Sequence, residues 1–90
     1  MGKVINMSEK EQNSEFKFEI VEKIGIINSF PTGWNREINL VAWNGGQAKY
    51  DIRDWDHNHE HMSKGVRLHT GEMRKLLKLL EGRDDLETQN

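Results

Sequence analysis

Residues 34–55 read WNREINLVAWNGGQAKYDIRDW, and they decide the fold. Asn44-Gly45-Gly46 separates two runs that carry β-branched and aromatic residues, and Asn-Gly is the pair that best accepts the positive φ angles of a two-residue hairpin turn. Side chains alternate between the faces of a strand, so the two runs can be sorted by parity. The even positions, Ile38, Leu40, Ala42, Ala48, Tyr50 and Ile52, are apolar and predict a face turned toward a core. The odd positions, Asn39, Val41, Trp43, Lys49, Asp51, Arg53 and Trp55, set two indoles among basic and amide groups. Aromatic rings interleaved with cations on an open sheet face are what stacking on unpaired nucleobases requires.

Upstream, residues 16–28 (FKFEIVEKIGIIN) alternate in the same way and predict a long first strand. Phe16, Phe18, Ile20, Ile24 and Ile26 would face the core, Lys17, Glu19 and Lys23 the open side, with Gly25 marking a bulge or bend. The chain's single proline and Gly33 make residues 29–33 a turn. Downstream, residues 64–69 predict a short fourth strand with Val66 and Leu68 inward and Arg67 outward. Thr70 reads as the cap of a helix whose first turn Glu72 complements, and Gly82 ends it. Met73, Leu76, Leu77 and Leu80 repeat at i, i+3, i+4 and i+7, with Leu79 widening the stripe. One helix cannot bury so many large side chains against a small sheet. A second copy of the chain is therefore expected over Met73, Leu76, Leu77 and Leu80. The fold class is α+β: a four-stranded antiparallel sheet followed by a C-terminal helix (ββββα), forming a homodimer.

Composition sets the limits. Of 90 residues only 34% are apolar, and both ends contribute little to that fraction. Residues 1–15 and 82–90 read as flexible polar tails around one domain at 16–81. A core this small usually needs disulfides, a metal or a partner, and the chain has no cysteine. No apolar run approaches the ~20 residues of a membrane span, so no membrane partner is expected and the localisation reads as cytoplasmic. The net charge of −2 divides unevenly: −1 on residues 1–15, −2 on residues 82–90 and +1 on the remainder. Phosphate binding depends on the local field, which the acidic tails do not set.

His57, His59 and His61 alternate within a polar loop beside Asp54 and Asp56. Imidazoles suit zinc, copper or nickel, but a metal site needs a rigid frame and outer partners for each ring. The loop offers neither by sequence and reads as solvated, so no metal and no cofactor are expected. Ser63, His61 and Asp56 could be assembled on paper into a nucleophile set, but catalysis needs groups held within ~0.5 Å by a supporting shell. An enzyme with a small-molecule substrate is not the expectation. Asp51 and Asp54, either side of Arg53, read as local salt partners.

The hairpin followed by YDIRDW, a charged loop, a Lys-Gly-Val-x-Leu strand and a Thr-initiated Leu-rich helix resemble the positive cofactor four (transcriptional coactivator) family, and in particular its bacterial YdbC-like branch. The resemblance covers residues 16–81. It implies a dimer built through helix and sheet that binds single-stranded DNA across its strands, with little sequence preference. By position in the motif it implies base stacking for Trp43 and phosphate contacts for Arg53 and Lys64. Three departures accompany it. Trp55 is followed by Asp56 where eukaryotic members carry a second aromatic, Gly45 and Gln47 replace hairpin lysines, and no Ser/Lys-rich arm precedes the fold. Weaker phosphate binding is the natural consequence.

Taken with the parity argument, the expected nucleic-acid face is Lys17, Lys23, Arg36, Asn39, Trp43, Lys49, Arg53, Trp55, Lys64 and Arg67. Arg36 lies on the inward parity and is included for its closeness to the turn and by the resemblance. The expected partner is single-stranded DNA, with RNA as the variant, in transcription, replication or repair and associated with the nucleoid. A protein-interaction module of the transcription machinery, using the same tryptophan-rich face, is the alternative.

Overall fold

The computed structural model describes residues 17–87. The expected tail at 1–15, Phe16 and residues 88–90 lie outside the described residues. Four strands, β1 (Phe18–Ser29), β2 (Asn35–Trp43), β3 (Lys49–Trp55) and β4 (Val66–Leu68), form one antiparallel sheet in sequential order. Helix α1 (Thr70–Leu80) and a single turn, α2 (Asp84–Glu87), come after them. No helix among the described residues is long and apolar enough to cross a membrane.

The hairpin forms where its residues require it. Asn44 and Gly45 have φ values of 51° and 77°, and the Gly46 amide donates to the Trp43 carbonyl at 2.8 Å. These are the signatures of a type I′ turn. The turn closes Trp43 to Gly46 whereas the strands pair Val41 with Lys49, so the returning strand carries one extra residue before its ladder begins. Asn44 also fastens β1, its Oδ1 accepting from the Lys17 amide at 2.8 Å.

β1 departs from strict alternation. Its pairing with β2 slips between Ile20 and Glu22, between Lys23 and Gly25, and between Ile26 and Asn28, leaving Val21, Ile24 and Ile27 as extra residues. Each slip reverses the parity of the residues beyond it. Phe18 and Ile20 thus stand opposite Trp43 and Val41, on the odd-numbered face and not with the even-numbered apolar set. Lys23 comes to that face opposite Asn39, while Lys17, one residue before Phe18, points to the other side.

Bulges bend a strand, and the bend is large. Trp43 and Trp55 stand at opposite ends of the β2–β3 ladder, since Trp55 pairs with Asn35. On a flat sheet they would be about 26 Å apart. The Phe18 ring nevertheless lies 5.8 Å from the Trp43 ring and 5.3 Å from the Trp55 ring. The sheet is curled, with the odd-numbered face concave. Side chains on a concave surface converge, and here they bury one another: Glu37, Asn39, Val41, Trp43, Asp51, Arg53 and Trp55 are all buried. The expectation of an open tryptophan face is corrected on this point.

The even-numbered face is convex and only half covered. Ile38, Leu40, Ala42, Tyr50 and Ile52 are half-buried, and α1 packs mainly against β3 and β4. On α1, Met73 and Leu76 turn toward the sheet side and are half-buried, whereas Leu77 and Leu79 are 63% and 68% exposed. The helix is capped by His69 and not by Thr70. Its Nδ1 accepts from the Glu72 amide at 3.3 Å while Glu72 Oε1 accepts from the His69 amide at 3.1 Å, a reciprocal box with imidazole in the usual hydroxyl's place. Gly82, at φ 82°, turns the chain out of the helix as expected. The segment beyond it, expected to be a frayed tail, instead forms α2, pinned by the Gly82 amide on Glu87 and by Arg83 on Asp85.

Candidate nucleic-acid interface

The concave face is organised around Arg53. Its guanidinium grips Asp51 through two parallel bonds of 2.8 Å, and its Nη1 donates to the Ser63 carbonyl and the Met62 sulfur, each at 3.2 Å. So held, it lies 4.6 Å from the centre of the Trp43 ring. Arg67 arrives from β4, opposite Asp51, and brings its own guanidinium to 4.2 Å from the same ring. Planar guanidinium on indole is a favourable cation–π arrangement. Arg53 is buried and fixed, while Arg67 is exposed.

The strand that supplies Arg67 passes unusually close to β3, and Gly65 is what permits it. A methyl group there would sit 2.5 Å from the Arg53 Cβ and 2.5 Å from the Ile52 carbonyl oxygen. Neither can retreat without disturbing the ladder. Gly65→Ala is expected to destabilise the chain by ~1–3 kcal/mol, the usual cost of overpacking. An unchanged urea midpoint would show that β4 does not need this approach.

The histidine loop, expected to be solvated, folds back over the same face. Trp55 bridges to Met62, and Asp54 and Ser63 exchange bonds of 3.0 Å. Asp56 shapes the bend: its Oδ1 accepts from the amides of Glu60 and His61, and its Oδ2 takes the His61 Nδ1–H at 2.8 Å. His59, at a φ of 59°, turns its ring onto Trp55, 5.3 Å between centres, and its Nε2 lies 2.9 and 3.1 Å from the two Glu37 oxygens. A carboxylate only accepts, so Nε2 carries the hydrogen. Asn39 completes the group, donating to Glu37 at 3.0 Å and accepting from the Ile24 amide at 3.3 Å, which satisfies a backbone donor freed by the bulge. Lys23, Gly25, Asn35, Glu37, Asn39 and His59 line a cleft of about 270 Å³.

Titration of the loop is set by these bonds. Partial burial pushes the Asp56 carboxyl up, but the bonds from the His61 ring and from two amides outweigh it and hold it below the ordinary 3.8. Hydrogen bonding to Asp56, with its charge, raises the His61 imidazole above the ordinary 6.5. A lowered acid stabilises the folded loop above its unfolded pKa and loses that contribution as pH falls through the folded one; a raised base does the reverse. Both contributions are complete between 3.8 and 6.5. Amide exchange at Glu60 and His61 is expected to be slowest in that window, after correction for intrinsic rates. Protection that keeps rising above neutrality would contradict it.

Of the ten residues expected on the face, the structure brings eight to it or to its rim. Asn39, Trp43, Arg53 and Trp55 are buried in it, while Lys23, Lys49 and Arg67 share its parity and are exposed. Lys64 is exposed beside Gly65, at the Arg53 end. Lys17 and Arg36 lie on the other side. Arg36 is taken up by Asp54 at 2.8 Å and rests 5.2 Å from the Phe30 ring, and that bond holds the Asp54 carboxyl below its usual range. Asp54 is thus the ion-pair partner of Arg36, and Asp51 that of Arg53. Glu37, His59 and Phe18 were missed. Glu37 was within reach, for it continues the odd parity two residues upstream of Asn39.

These features define a curled ββββα domain with a basic, aromatic concave face. The family profile of Transcriptional Coactivator p15 (PC4) matches residues 30–79, from the turn before β2 through most of α1. A protein of Treponema pallidum (strain Nichols), itself described only as uncharacterized, is 38% identical over 77 residues, a match covering 82% of this chain and 91% of that one. The chain belongs to the PC4 family, which is known for single-stranded DNA binding and coactivator roles.

Proposed function

We propose that this chain is a single-stranded DNA-binding module of the bacterial branch of its family, acting as a homodimer on exposed strands in the cytoplasm. The observation that carries the reading is the pair of guanidiniums at 4.2 and 4.6 Å from the Trp43 ring. A stacked base needs a flat, rigid platform with charge nearby for its phosphate; with Trp43 only 8% exposed, the outermost plane of the trio is the Arg67 guanidinium, and it supplies both. Arg53 fixes the indole. Arg67, Lys49, Lys64 and Lys23 are the exposed cations along the strand's path, whereas Arg36 and Lys17 have no part in it.

The dimer is supported by what one copy leaves uncovered. The buried apolar core of the described residues is Val41, Trp43 and Trp55 alone. The convex face and the outer side of α1 hold Val66, Leu77, Leu79 and Leu80 exposed beside half-buried Met73 and Leu76. A second copy related by a two-fold axis covers both faces at once.

Arg67→Ala tests the site. Binding to oligo-dT should weaken alike for all sequences, and the salt dependence should flatten by about one ion. Duplex DNA should bind far less well than single strands to either form, because its bases offer no free face. Oligo-dT affinity and salt slope both unchanged in Arg67→Ala would remove the concave face from consideration.

A further inference from the structure

We propose that Glu37, Asn39 and Trp55 form a subsite that reads the edge of one guanine base, and that His59 fills it in the free protein. The proposal rests on the single-strand reading above and adds one base-selective position to an otherwise sequence-tolerant face.

Glu37 is the unusual group. The residue is 5% exposed, and its cross-strand neighbour Arg53 is committed to Asp51. Among the described residues its partners are an amide, Asn39, and a histidine from a loop. Neither is a permanent cation. A buried carboxylate in this state is held by N–H donors alone, and the one that comes from the loop can be exchanged for another.

The donor that reaches it resembles a base. The His59 ring is a flat nitrogen heterocycle, set against the Trp55 indole at 5.3 Å and 41°, with an N–H directed between both carboxylate oxygens. Its backbone holds a φ of 59°, uncommon for a side-chain-bearing residue and released if the loop swings away. Trp55 is fully buried beneath it and Phe18, and its Nε1 has no hydrogen-bond partner among the described residues. Lys23 and Asn35 line the same cleft as Glu37, Asn39 and His59. A ring, an aromatic platform and an acceptor pair are therefore already arranged as a base site with a protein group in it.

The pattern of donors selects the base. Guanine presents two adjacent donors, N1–H and N2–H, which match the two oxygens of one carboxylate. Beside them it presents the O6 acceptor, which suits the Lys23 ammonium at the cleft. Thymine offers one N–H flanked by carbonyls that a carboxylate repels. Cytosine and adenine each offer one amino group beside a ring nitrogen acceptor. A bidentate match of this kind discriminates by about tenfold or more.

The test uses the full chain and oligo-dT of about 15 nucleotides, a length that covers one binding path. Four probes are compared by fluorescence anisotropy: all-dT, and the same strand with a single central dG, dA or dC. Wild-type protein should bind the dG probe about tenfold more tightly than all-dT, and more tightly than the dA or dC probes. In Glu37→Gln, whose amide sets a donor against guanine, the dG-to-dT ratio should collapse to within twofold. In His59→Gly, which accepts the positive φ, the ratio should rise about threefold because nothing competes for the site. Each ratio is internal to one variant, so a loss of folded protein cancels. A wild-type ratio within twofold of one, or a ratio that survives Glu37→Gln, overturns the guanine subsite while oligo-dT binding leaves the single-strand reading standing. Failure to bind any of the four probes overturns both.

Discussion

Asp51→Ala is expected to cost ~3–5 kcal/mol, enough to unfold much of a domain with so small a core. The carboxylate is fully buried, and both of its oxygens are bonded to Arg53 at 2.8 Å. Removing it strands a guanidinium that is itself buried, its remaining partners among the described residues being a carbonyl, a thioether and the Trp43 ring. The penalty is chiefly that of an uncompensated buried charge and not the worth of the pair. Urea denaturation followed by tryptophan fluorescence measures it. A loss below ~1 kcal/mol would mean that Arg53 reaches water easily, and the rigid platform under Trp43 would be lost with it.

Leu77→Asp should have a comparable effect for a different reason. In a single chain Leu77 is 63% exposed, and a charge there would change stability by no more than ~0.5 kcal/mol. If two copies meet across α1, the same carboxylate is driven into an apolar interface and the dimer separates or the chain unfolds. Sedimentation at tens of micromolar distinguishes the cases. A wild-type monomer, or a variant indistinguishable from wild type, would contradict the dimer. Leu80→Asp should behave alike.

Much of this was legible because strand alternation and turn chemistry are local. Asn44-Gly45 strongly favours a primed turn, the parity of β2 and β3 is tied to it, and Arg67 falls on the face with Arg53 because residues 64–69 hold the same alternation. Curvature was not legible. It arises from three bulges in β1, and of these only the one beside Gly25 left a mark in the sequence. Val21, Ile24 and Ile27 look like ordinary strand residues, yet as extra residues they exchange the faces of everything around them. That is why Phe18 joins the tryptophans, why Lys17 leaves them, and why a face read as open is in fact folded in on itself.

The histidine loop failed for a related reason. Its polar composition describes exposure on average, whereas the placement of His59 depends on Glu37, twenty-two residues away, and on a backbone angle that histidine does not advertise. Thr70 was the better cap by propensity, and His69 displaced it because one imidazole nitrogen could meet the Glu72 amide. Local rules gave the scaffold here. Long-range closure made the site.

The most direct measurement is intrinsic tryptophan fluorescence of the wild-type chain during titration with oligo-dT at two salt concentrations fourfold apart. Stacking of a base on the Arg67 guanidinium that covers Trp43 should quench the emission, and contacts from Lys23, Lys49, Lys64 and Arg67 should give a log–log salt slope of about −3, hence a roughly fiftyfold loss of affinity at the higher salt. Emission unchanged by oligo-dT at both salt concentrations, at protein and DNA concentrations of tens of micromolar, would contradict single-strand binding by this face.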